Sequence, residues 1–356
     1  MTPLAVGVVG LRHLHPRSYM RSFASVADFS VVAAAERDGG AREAFGRDFP
    51  VRCYADWREL LDREKLDMAA IFLPHAECPE AAIRCAERGV HVLVEKPMAA
   101  SAEGARSMIA AAERGGVTLS TPYVWRYHPV AEQIRALVGD GTLGRMVGCE
   151  GRCAAGRLHR YVEGHAEWML DKRQSGGGPM YNLGVHWIDL YRWLLDDEVV
   201  EVFGRNIKIN QQFDIEDNSF ALVSFRRGTV LALDISYTVP DAYPAGRDLY
   251  LGLRGTQGTA QWSPSYEGVR EELLVSSDRP GFDPAVQRLR FDLEPHPGYS
   301  GMMTVRFLED LARAIRERRT PAITGIDGLR ALEVVEAIYR SAETGQAVRL
   351  EQQRII

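Results

Sequence analysis

Over the first third of the chain, short and continuously apolar runs alternate with segments of helical periodicity. The runs are LAVGVVG from Leu4, SVVAAA from Ser30, MAAIFL from Met68, VHVLV from Val90 and VTLST from Val117. A strand that is apolar at every position, rather than at every second one, is covered on both faces, which is the condition of a parallel sheet. The intervening segments carry helix punctuation. In PEAAIRCAERG, Pro79 suits a first turn that needs no amide and Gly89 suits a left-handed cap. The pattern predicts repeated βαβ units, a doubly wound, Rossmann-like α/β domain over residues 1–122.

Beyond Pro122 the rhythm changes. A strongly helical segment is expected from Pro179 to Leu195, followed by the strand-like runs VVEVFGRNIKI, NSFALVSFR, TVLALDISY and DLYLGLRG, with a tight turn at Arg227 and Gly228. Closely spaced strands joined by short turns predict an antiparallel sheet. Residues 123–356 therefore read as an α+β domain with a large, mostly antiparallel open sheet, closed by a helix from about Asp327 to Thr344 with Gly345 as its cap. A length of 356 residues suits two domains, each with its own core.

Composition narrows the classes. A net charge of −5 gives no electrostatic case for nucleic acid or an anionic membrane as a partner. No apolar run reaches spanning length, and MTPLAVGVVGL enters a strand at once without the features of a signal peptide, so a soluble, cytoplasmic protein is expected. Cys53, Cys78, Cys85, Cys149 and Cys153 form no CxxC pair and lack the histidine spacing of a zinc site; reduced structural thiols and no metal are expected.

Candidate chemistry begins at the first strand. VGVVGLRHLHP puts Gly10 where a dinucleotide fold turns tightly and aims helix amides at a pyrophosphate. Of the GxGxxG glycines only the first is present: Arg12 holds the second slot, where a side chain obstructs close backbone approach, and His15 the third. Glu36 lies 21 positions beyond His15, near the spacing of a ribose-binding carboxylate that disfavours a 2′-phosphate. Arg37 next to it could receive that phosphate, so NAD is favoured with NADP left open.

In VHVLVEKPMA, Pro97 stops a buried strand and holds Lys96 extended at its carboxyl end, where ligands bind in open α/β sheets. A lysine there can stabilise an alkoxide or polarise a carbonyl during hydride transfer; a solvated loop lysine is the plainer alternative. In GGGPMYNLGVHWIDLYRWLL, Met180, Leu183, Trp187, Leu190, Tyr191 and Leu194 gather on one face at about 100° per residue. Asn182, His186 and Asp189 share a polar stripe: His186 can act as general base and Asp189 can orient its ring, or the pair is simply a hydrogen-bonded core histidine.

EKPMA at Glu95–Ala99, GGGPMYNLGVHWIDL at Gly176–Leu190 and GLRALEVVEAIYRSAETGQAV at Gly328–Val348, together with WRYHP at Trp125–Pro129 and GTLGR at Gly141–Arg145, resemble the Gfo/Idh/MocA family almost end to end. The resemblance implies a nicotinamide-dependent dehydrogenase or reductase acting on CH–OH groups of a sugar, inositol or similar polyol. Lys96 then corresponds to the lysine of the EKP motif and His186 to the catalytic histidine. The cofactor is expected against Gly10, Leu11, Arg12, His13, Glu36, Arg37, Leu73, Pro74, His75, Glu95 and Lys96, and the substrate against Arg126, Trp168, Asn182 and His186.

A homo-oligomer, dimer or tetramer, is expected through the carboxyl-terminal sheet. Three departures stand out: the missing glycines, His75 and Cys78 where members often carry asparagine and histidine, and Asn182 where many carry aspartate. An amide positions a hydroxyl but takes no proton, which shifts proton transfer onto His186. Two other functions remain open, a catalytically silent nucleotide- or sugar-sensing regulator and a redox-assisted glycosidase.

Overall fold

A computed structural model describes residues 2–243, 246–265 and 269–351. In chain order the elements begin with β1 (Leu4–Val9), α1 (Pro16–Ala24), β2 (Phe29–Ala35), α2 (Gly39–Asp48), β3 (Arg52–Tyr54), α3 (Trp57–Arg63), β4 (Met68–Ile71), α4 (Cys78–Glu87), β5 (His91–Val94), α5 (Ala102–Gly115) and β6 (Leu119–Ser120). There follow α6 (Pro129–Gly139), β7 (Met146–Ala155), α7 (Leu158–Glu163), α8 (Lys172–Ser175), α9 (Val185–Leu195), β8 (Val199–Ile207), β9 (Asn218–Phe225) and β10 (Val230–Ser236). The remainder comprises β11 (Arg247–Gly255), β12 (Gly258–Trp262), β13 (Arg270–Ser277), β14 (Val286–Asp292), α10 (Met302–Glu317), α11 (Gly325–Thr344) and β15 (Val348–Arg349).

The chain forms two compact units. The first contains residues 1–124, 159–177 and 295–330. Its sheet has the order β3-β2-β1-β4-β5-β6 with every pairing parallel. The strand cores, Val6 to Val9, Ala33 to Ala35, Met68 to Ile71 and Val92 to Val94, are buried on both faces, as the unbroken apolar runs require. Strand order reverses between β1 and β4, which opens a crevice at their carboxyl ends. Helix α10, from the late segment, packs on α1 and belongs to this unit.

The second unit contains residues 125–158, 178–294 and 331–356. Its sheet runs β14-β13-β12-β11-β7-β10-β9-β8-β15; β7 and β10 pair parallel and the other neighbours antiparallel. Gly228, at φ +91°, makes the β9–β10 turn. The faces differ in chemistry. Gly151 of β7 leaves room for Trp187 and Tyr191 of α9 on the inner face. Phe203, Phe220, Leu222 and Val230 are exposed on the outer one, where they line a shallow concavity of about 870 Å³ with Arg205 and Arg254.

The helix expected from Pro179 to Leu195 departs from simple α geometry. Met180–Gly184 forms a π-turn, in which the amide of Val185 reaches the carbonyl of Met180, and α geometry begins at Val185. Gly184 accommodates the Met180 side chain within this widened turn, because a Cβ there would collide with the Met180 sulfur. A period of 100° per residue cannot register this extra residue in a turn.

Candidate active site

In the first unit, the loops that follow β1, β2 and β4 surround a cavity of about 390 Å³ lined by Gly10, Arg12, Glu36, Arg37, Leu73, Pro74, Trp168 and Gln174 among others. Gly10 turns at φ +89°, and a Cβ on it would lie 2.8 Å from the Phe72 carbonyl carbon, so only glycine lets the β1 loop pass this close to β4. Glu36 closes the end of β2. Its carboxylate accepts the Leu11 amide at 2.7 Å and the Asp38 amide at 3.0 Å, which presents its remaining lone pairs to the cavity edge. A cleft beyond the strand ends, a glycine that admits close backbone approach and a fixed carboxylate fit the adenosine half of a dinucleotide. Arg37 is turned toward Glu77 at 3.5 Å.

Deeper in the same unit lies a group of buried rings and charges. His13 and His75 flank Trp168, with ring centroids at 5.8 and 4.8 Å from the indole, and the indole N–H donates to the Arg12 carbonyl at 2.9 Å. His75 shares a hydrogen bond of 2.8 Å with the Ser175 carbonyl through Nδ1, and burial pulls its pKa down to about 4. His13 is held well below the usual histidine range, first by burial and then by the neighbouring His15. Glu95 is buried, with His15 Nδ1 at 3.5 Å. Burial raises its pKa against the opposing influence of His13 and Lys96. Lys96 is 2% exposed and lies two residues beyond the end of β5.

In the second unit the polar residues are anchored individually. Asn182 Nδ2 donates to the Tyr237 hydroxyl at 2.9 Å, and both are buried. His186 is buried in the first turn of α9. Asp189, expected from its spacing to orient His186, gives both carboxylate oxygens to Arg126, which donates through Nε at 2.8 Å and through Nη2. Arg126, expected on the substrate side, is 8% exposed and holds this pair.

At the start of the helix the Gly178 amide faces two acceptors, Glu216 Oε2 at 3.2 Å and the Tyr339 hydroxyl at 2.9 Å, while that hydroxyl donates to Glu216 Oε1. Sequence reasoning missed Tyr237, Glu216 and Tyr339. Tyr237 and Tyr339 lie in or beside elements whose apolar pattern explains them as packing, and Glu216 sits in the connection before β9 with no motif around it, so nothing local singles them out.

The expected cofactor residues Gly10, Leu11, Arg12, His13, Glu36, Arg37, Leu73, Pro74, His75, Glu95 and Lys96 all belong to the first unit, with Trp168. Arg126, Asn182 and His186 belong to the second. Among the described residues no group of three His, Cys, Asp or Glu side chains is placed to hold a metal ion, and no helix is long and apolar enough to cross a membrane. No disulfide joins Cys53, Cys78, Cys85, Cys149 or Cys153, and burial pushes the thiols of Cys85 and Cys149 up to about 12.

A parallel sheet with a nucleotide cleft at its switch point, in a chain that also carries a large open sheet, defines the class of two-domain dinucleotide-dependent oxidoreductases. Family models agree. Residues 4–123 match the NAD-binding Rossmann fold, and residues 135–350 the C-terminal alpha/beta domain, of the Gfo/Idh/MocA oxidoreductase family; the chain belongs to this family.

It is 25% identical to D-xylose 1-dehydrogenase (NADP(+)) 2 of Haloferax volcanii over 97% of this chain and 99% of that protein. It is 24% identical to myo-inositol 2-dehydrogenase of Thermotoga maritima over 98% and 99%. Its fold matches that of the aldose-aldose oxidoreductase of Caulobacter crescentus, crystallised with glycerol. The TM-score is 0.82 at 24% identity, over 98% of this chain and all of that one.

Proposed function

We propose that this protein is a nicotinamide-dependent dehydrogenase or reductase acting on a carbinol or carbonyl of a sugar, inositol or similar polyol. Lys96 supports the reading most directly: an almost fully buried lysine just beyond the carboxyl end of β5, in an NAD-binding domain, is a costly placement that a catalytic use at the cofactor crevice explains. The nicotinamide, when bound, accepts or supplies the hydride. The Lys96 ammonium stabilises charge growing on the substrate oxygen. His186 takes the hydroxyl proton in oxidation and returns it in reduction. Asn182, its amide oriented by the Tyr237 hydroxyl, positions the substrate and leaves proton transfer to the histidine. Glu36 at the ribose end favours NAD over NADP.

The test is a coupled NADH assay on a panel of aldoses and cyclitols, including D-xylose and myo-inositol. Lys96→Ala and His186→Ala each lose about a hundredfold or more in kcat, while NADH affinity stays within a few-fold of wild type. Wild-type turnover in both variants would refute the assignment. The exposed Phe203, Phe220 and Leu222 face further supports assembly with a second copy of this chain, a contact that Leu222→Glu should dissociate in sedimentation velocity.

A further inference from the structure

The β1–α1 loop offers a bound dinucleotide fewer free amides than its course suggests. The Leu11 amide donates to Glu36 Oε2 at 2.7 Å, the His15 amide donates to His13 Nδ1 at 3.1 Å, and Pro16 at the start of α1 has no amide to give. In a dinucleotide fold, the pyrophosphate crosses this loop and is neutralised by such groups. Here part of that neutralisation has to come from elsewhere.

Arg12 stands at the second glycine position, and its residue borders the same cavity as Glu36 and Leu73. Its backbone is pinned by the Trp168 indole at 2.9 Å. Its guanidinium pairs with Glu167 through Nη2 at 3.3 Å, both side chains being nearly half exposed, 46% and 44%. An exposed pair of this kind contributes at most about 1 kcal/mol and is readily exchanged for a stronger partner. A phosphate oxygen is such a partner, because guanidinium–phosphate contacts are charge-assisted and suited to two parallel hydrogen bonds. Arg37 borders the cavity as well, but it follows β2 beside Glu36, at the ribose end, and is paired with Glu77.

We propose that the Arg12 side chain binds the pyrophosphate of the dinucleotide, making up for loop amides already engaged by Glu36 and His13, and that Glu167 is the partner it leaves when the cofactor arrives. The residue that breaks the glycine motif thereby restores the charge the motif normally supplies. This inference rests on the cofactor reading given above.

The experiment is calorimetric titration of the full chain with NADH, ADP-ribose and adenosine, for wild type, Arg12→Ala, Arg12→Lys and Glu167→Gln. Arg12→Ala should weaken NADH and ADP-ribose about tenfold and leave adenosine, which has no phosphate, unchanged. Arg12→Lys should recover part of the loss. Glu167→Gln should tighten ADP-ribose by freeing the guanidinium, and the salt dependence of ADP-ribose binding should fall in Arg12→Ala. Wild-type ADP-ribose affinity in Arg12→Ala, or an equal loss for adenosine, overturns the proposal while leaving the cofactor reading intact. A folded wild-type protein that binds none of the three overturns both.

Discussion

Replacing Gly178 by alanine tests how the candidate catalytic helix is held. A Cβ at this position would lie 2.8 Å from the Glu216 Cδ and Oε1, and nearer still to the Glu216 carbonyl oxygen, against the 3.4 Å at which ordinary contact begins. Backbone is involved, so relief requires the two chain segments to separate rather than a side chain to swing. Overpacking of this kind costs about 1–3 kcal/mol. Separation also stretches the Gly178 amide away from Glu216 Oε2 and the Tyr339 hydroxyl, about 1–2 kcal/mol more where a charged acceptor is lost. A total of about 2–5 kcal/mol lowers the melting temperature by roughly 5–15 °C for a unit of this size. Gly139→Ala is the control: nothing lies within 4 Å of its added Cβ, at the end of α6, and a gain of about 0.4–1 kcal/mol is expected. Differential scanning fluorimetry on both variants decides the matter. A Gly178→Ala protein that melts within a degree of wild type would show that the Glu216–Tyr339 clamp does not fix the helix start.

Three further outcomes are expected. Tyr237→Phe removes the acceptor of the Asn182 amide, and should lower kcat about tenfold with a small change in melting temperature, whereas equal losses in both would mark Tyr237 as packing only. Arg126→Leu leaves Asp189 buried without its cation and should cost about 3–5 kcal/mol in chemical denaturation, with most of it regained in the Arg126→Leu/Asp189→Leu double variant. His75 has a folded pKa of about 4 against roughly 6.5 when unfolded, so the unfolded chain takes up the proton first. Stability is then complete above pH 6.5 and falls toward pH 4, by on the order of 3 kcal/mol for this residue. His75→Asn, which keeps a donor for the Ser175 carbonyl, should flatten the melting temperature between pH 7.5 and 5, and an unchanged slope would assign the acid sensitivity to other groups.

The parallel sheet was legible because burial on both faces writes an unbroken apolar run into each strand, as in Met68–Ile71 and His91–Val94. The position of Lys96 followed from Pro97 ending such a run. Glu36 was legible from spacing alone, since the residue after β2 is fixed by strand length. Three kinds of feature were not. Residues 159–177 and 295–330 join the first unit through loops and short helices whose partners lie far away in sequence, so Gln174 at the cleft and Tyr299, 4.1 Å from the His15 ring, left no periodic trace. The π-turn at Met180–Gly184 depends on a glycine meeting a methionine sulfur one turn away, below the resolution of any hydropathy period. Tyr237 and Tyr339 look like ordinary aromatic packing until their hydroxyl partners are seen.

The polar contacts of the second unit share a direction. Gly178 is tied to Glu216 and Tyr339, Asn182 to Tyr237, and Asp189 to Arg126, so the stretch that carries His186 is fastened before, within and after its π-turn by groups from separate elements. Buried ion pairs and short polar links contribute little net stability compared with apolar residues of the same volume. They do specify one orientation, and a side chain that must accept a proton along a fixed line gains more from orientation than from packing. The helix thus keeps a polar stripe at the expense of a better core, an arrangement compatible with the catalytic role proposed for His186.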